Sequence, residues 1–84
     1  MAISWEVVAP NISDAREELE RIEALIAGGT PPDDEDFRVC MQHAFHHLNF
    51  AWNARHASVD RYANLSQEDF ERWGQFPRDL TFGD

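Results

Sequence analysis

Lysine is missing from this 84-residue sequence, and basic residues of any kind are few: seven arginines stand against sixteen acids, a net charge of −9. That balance argues against nucleic acid as a ligand, because phosphate binding needs a basic surface. It disfavours anionic membranes for the same reason. Cysteine is nearly absent. A lone Cys40 excludes an internal disulfide framework and fits a reducing cytosol. Long apolar runs are absent too, and none approaches the roughly 20 residues needed to cross a bilayer. The opening MAISWEVVAP has neither the basic start nor the apolar stretch of a signal peptide. A cytoplasmic chain with no nucleic acid and no membrane among its partners is the expectation. Internal repeats and low-complexity linkers are also lacking, so residues 1–84 read as one domain.

Aromatics are what the chain has in excess. Six phenylalanines, three tryptophans and a tyrosine weight the core of a domain small enough to bury only roughly two-thirds of its unfolded surface. Charge is segregated. Residues 1–36 carry ten acids against two arginines, whereas residues 37–64 carry three arginines, the single acid Asp60 and all four histidines.

The pattern predicts an all-α fold: a small helical hairpin or three-helix domain with a long central helix. Ile3, Trp5 and Val7 alternate up to Pro10, which predicts an extended N-terminal arm over residues 1–10. Asn11 or Ser13 then caps a first helix over 11–28, stopped by Gly28-Gly29. Asp33 caps a second helix over 33–64, with Asp34, Glu35 and Asp36 at the end where the helix dipole favours carboxylates. Unbroken, that helix would be a rod of about 45 Å, longer than the roughly 30 Å breadth of a globule this size. A break near residues 53–58, rich in weak helix formers, removes the difficulty. Ser66 caps a third helix over 66–73, and an aromatic tail with Phe76, Leu80 and Phe82 fills 74–84.

At about 100° per residue, the second helix has two apolar strips. Phe37, Met41, Phe45, Leu48 and Trp52 form the main core face. Val39, Phe50 and Ala57 form a smaller strip roughly opposite, and with His43 and His46 they make the expected contact surface of a homodimer.

The stretch HAFHHLNFAWNARH, residues 43–56, looks most like chemistry. Asp36, Cys40, His43 and His47 step by four, three and four along one side of the helix. His43 and His47 could therefore share a divalent metal such as Zn²⁺, with Cys40 or Asp36 in reach and a further ligand from elsewhere, a carboxylate of the first helix or a second subunit. The competing reading has the imidazoles pairing with carboxylates of the first helix and packing beside Phe50. Arg55 falls on an apolar face and demands a carboxylate, with Glu6, Asp69 and Asp79 as candidates, and a stack on Trp52 or Trp73. Arg38 and His43 in RVCMQH have an R-x4-H spacing that resembles the motif of the HEPN family of helical ribonucleases. That resemblance implies a dimer bringing two Arg38/His43 pairs together on RNA, although Val39 stands where the family carries a polar residue. Nucleophile elbows and glycine-rich phosphate loops do not occur. The expectation is a small acidic cytosolic protein that binds protein without catalysis, as an accessory, inhibitor or regulatory subunit for a basic partner. No resident cofactor is expected. A metal-binding protein and a HEPN-like ribonuclease are the alternatives.

Overall fold

Two glycines and an aspartate turn the chain back on itself. In the computed structural model, which describes residues 2–80, α1 spans Trp5–Ala27 and α2 spans Asp34–Asn53. Gly29, at φ 82°, takes the left-handed position that ends α1. Its N–H donates to Ile26 O at 3.1 Å, and Thr30 N donates to Leu25 O at 3.0 Å. These two bonds close a Schellman motif and satisfy carbonyls that the helix end would leave free. Three residues on, the Asp33 carboxylate accepts from Asp36 N at 2.8 Å and starts α2, in line with its expected role as cap.

α1 and α2 pack along their length as an antiparallel hairpin. The seam is made mostly of small or polar residues, Asn11 and Ala15 from α1 and Cys40, Ala44 and Ala51 from α2, with the larger Ile22 of α1 buried among them. Larger side chains gather at one end, where Val7, Phe50, Ala54 and Trp73 form the core cluster with Ala57 and Tyr62 against it. Two short helices close that end. They are α3, Val59–Ala63, capped by Ser58, and α4, Gln67–Trp73, capped by Ser66. Tyr62 stacks on Trp73 with ring centroids 6.0 Å apart, and its hydroxyl accepts from buried Asn11 Nδ2 at 2.9 Å. Arg61 forks onto the Asp69 carboxylate at 2.7 and 3.1 Å, locking α3 to α4 and holding that carboxyl below its ordinary range.

The all-helical class is as the sequence indicates, with no strand among the described residues. The N-terminal arm is a correction. Residues 5–10 are helical, and neither Asn11 nor Ser13 is a cap, because the helix starts at Trp5 with Ser4 in the cap position. Helical period, not alternation, places Val7 in the seam with Asn11 and Ala15, and it is buried while Trp5 stays 65 % exposed. Pro10 lies inside the helix. It removes one hydrogen bond on an exposed stretch, where water can take the freed carbonyl, and burial of Val7 outweighs that loss. α1 is consequently the longest helix, not α2.

The expected break is present. α2 ends at Asn53, and residues 54–58 turn before α3. Ala54, 1 % exposed, plugs the core at the turn. Arg55 Nη1 donates to Trp52 O at 2.7 Å, filling one carbonyl at the helix end. Ser4 N donates to Arg55 O, and His56 Nδ1 lies 3.0 Å from Ala2 O, so the start of the chain is anchored on this turn. Phe82 and the rest of 81–84 lie outside the described residues. The tail before them runs back along α2, with Phe76 edge-on to Phe45 at 6.2 Å.

Candidate functional site

The histidine row of α2 sits at the hairpin seam, opposite carboxylates of α1. His43 Nδ1 lies 3.9 Å from Glu18 Oε1, and His47 Nδ1 lies 3.9 Å from Asp14 Oδ2. The match is geometric: Asp14 to Glu18 and His43 to His47 are both one turn, on antiparallel helices. These are paired contacts, not a cage. Among the described residues no three of His, Cys, Asp and Glu are grouped so as to hold a metal.

Arg21 explains why. Its guanidinium donates to Glu18 Oε1 at 2.7 Å and to the buried Cys40 Sγ at 3.1 Å. A permanent cation contacts both Cys40 and the nearest carboxylate, and it is the main reason the Glu18 carboxyl lies below its ordinary range. Asp36 is further off, lining a recess beside the α1–α2 loop with Arg21, Thr30, Asp33 and Cys40. The four-residue row is thus divided between two environments.

His46 points the other way. Its ring lies 4.5 Å from that of Phe50 and 5.5 Å from that of Phe70, under α4. Burial lowers its pKa, and the neighbouring His47 and His43 lower it further. The folded state therefore prefers the neutral ring. Below the ordinary value of 6.5, the unfolded chain binds the proton more readily, so stability falls as pH drops through that value. Thermal melts between neutral and mildly acidic pH are expected to show this loss in the native protein and less of it in His46→Gln. Identical pH slopes for the two would contradict the assignment.

Arg38 and His43 are not brought together. Five positions on a helix put them about 140° apart; Arg38 bonds Glu35, while His43 turns to Glu18. Arg55 lies 3.7 Å above the Trp52 ring, with Asp79 Oδ2 3.8 Å away. Asp79 also accepts from Trp52 Nε1 at 2.9 Å, so the three groups form one polar latch that fastens the tail to α2. Of the three candidate carboxylates for Arg55, the structure selects Asp79.

The expected contact surface requires correction. Phe50 is 3 % exposed and Ala57 packs against its cluster, so this strip is filled by the chain's own α3 and α4. Val39 and His43 remain exposed, and His46 is half-buried beneath α4. The strip expected to be core is the open one, with Phe37, Phe45 and Leu48 each at least 40 % exposed. On the same side of the hairpin, Ile3, Trp5, Ile12, Leu48, Trp52 and Arg55 line a groove of ≈ 240 Å³ that is almost wholly apolar.

Asn49 and Asn53 carried no distinguishing sequence signal beyond polarity, yet they bind the tail. Asn49 Nδ2 donates to Gly74 O at 3.0 Å, and Asn53 Nδ2 donates to Trp73 O and Gln75 O at 2.9 and 2.6 Å. Comparisons of the chain with protein-family models, with curated proteins and with solved structures each find no match.

Proposed function

We propose that this chain acts by binding protein through the open flank of the α1–α2 hairpin, without catalysis, as a cytoplasmic accessory, inhibitor or regulatory subunit. One observation carries the reading. Trp5, Ile12, Leu19 and Ile26 of α1 and Phe37 and Leu48 of α2 are all exposed large apolar residues, and they lie on one side of two adjoining helices. Single exposed apolar residues are ordinary; a continuous set of this size marks a contact surface. The chemistry-bearing residues point away from catalysis. His43 and His47 face carboxylates, Cys40 is buried against Arg21, and Arg38 is held by Glu35.

A photoreactive residue placed at position 12 in the host cell tests the reading, with position 17 on the acidic outer face as control. Efficient adducts of discrete mass are expected from position 12 and not from 17. Equal labelling, or none, contradicts it. So does ribonuclease activity of the native chain that His43→Ala abolishes.

A further inference from the structure

We infer that the occupant of this flank is a second copy of the chain, docked antiparallel to form a four-helix bundle. The inference rests on the binding reading above and names its partner. Along α1, Trp5, Val8, Ile12, Ala15, Leu19, Ile22 and Ile26 step alternately by three and four through the whole helix. That is the spacing of a coiled-coil seam, in which both rows meet a neighbouring helix. Here only one row does. Ala15 and Ile22 are buried against α2 and Val8 is half-buried, whereas Trp5, Ile12, Leu19 and Ile26 are 65, 48, 41 and 57 % exposed.

The exposed row is its own complement. A two-fold axis midway between Ile12 and Leu19 sets each Ile12 against the Leu19 of the other copy and each Trp5 against its Ile26. One interaction surface then serves both chains, as closed two-fold dimers require. Size agrees as well. α1, at 23 residues, is about 34 Å long, and two helices side by side are about 20 Å wide, so the flank spans about 680 Å² in projection, bordered on the α2 side by the chain's own tail at Phe45 and Trp52. A stable interface buries roughly 800 Å² per partner.

Charge, the obvious obstacle for an acidic chain, is neutralised where the copies would meet. Arg16, beside the axis, pairs with Glu20 at 3.1 Å. Glu23, the other charge near the row, would lie about 22 Å from its counterpart, because antiparallel packing carries the two to opposite ends. Most remaining acids of α1 are on its outer face or at the histidine seam. A heterologous helix could fill the groove, but nothing in it would select that helix over the symmetric partner.

Sedimentation equilibrium of the tag-free chain, from micromolar to millimolar concentration, tests this. The expected mass is twice 9.7 kDa. Ile12→Glu with Leu19→Glu should weaken association by about a hundredfold or more, the consequence of burying unpaired carboxylates, with unchanged helical circular dichroism. Orientation is read in a Cys40→Ser background that keeps the native sequence elsewhere. Mixing the Trp5→Cys and Ile26→Cys chains should give the mixed disulfide in preference to either homodisulfide. A native chain that stays monomeric throughout overturns the self-association, and preferential homodisulfide formation, which would mean parallel packing, overturns the antiparallel docking. If the monomer still forms position-12 adducts with another protein in the host, only the identity of the occupant was wrong. If it forms none, the binding reading fails with it.

Discussion

Phe50→Ala is expected to lower the melting midpoint by about 15 °C or more. Removing a buried phenylalanine ring costs about 3–5 kcal/mol, and in a domain this small each kcal/mol moves the midpoint by about 4–8 °C. The upper part of that range applies because the ring is the hub of the aromatic cluster. It meets Trp73 and Tyr62 edge-on at 6.4 and 6.3 Å and Phe70 at 5.6 Å, and each such pair adds to simple burial. The rest of the interior cannot compensate. The hairpin seam is lined by Ala15, Cys40, Ala44 and Ala51, which bring the helices close but bury little area each. Calorimetry is the measurement, and a drop under about 5 °C would mean that Phe50 is not the core.

Asn49→Ala combined with Asn53→Ala should destabilise the fold by about 2–4 kcal/mol and release the tail. The two amides donate to Trp73, Gly74 and Gln75 carbonyls, the end of α4, where helical partners run out. Truncating both leaves carbonyls near the core without donors, at about 1–3 kcal/mol for each one that water cannot reach. The two substitutions act on one turn of chain and should not be additive. Proteolysis of the segment after Gly74 should accelerate in the double variant before global unfolding is seen. A tail that stays protected, with a melting midpoint near that of the native protein, would show that α4 is held by Trp73 alone.

The difference between these two sites measures how far the sequence could be read. Capping is local, so Asp33, Ser66 and the Gly28–Gly29 stop were legible from single residues. The break after Asn53 was legible from weak helix formers and from the length of the rod. Two apolar strips on α2 were legible as well, but not which of them the chain would cover itself. That choice depends on where α3 and α4 fold back, and their return is directed by the Asn49 and Asn53 amides, by Asn11 on Tyr62 and by Arg61 on Asp69. None of these contacts has a spacing signature, because each joins residues of different elements. The N-terminal segment misled for a related reason. Ile3, Trp5 and Val7 alternate before a proline, yet tertiary burial of Val7 decides the helix. The histidines were partly legible: their spacing placed His43 and His47 on one row, but Arg21, nineteen positions before Cys40, was invisible as the cation beside it.

Everything turns on which side of α2 the chain fills for itself. Isotope-filtered nuclear Overhauser spectroscopy, on a mixture of labelled and unlabelled chains, reads this directly. The Phe50 ring is expected to contact Trp73 and Tyr62 of its own chain, with the contacts between chains coming from Ile12 and Leu19. Contacts between chains at Phe50 and Ala57, with Ile12 and Leu19 inside the fold, would contradict this.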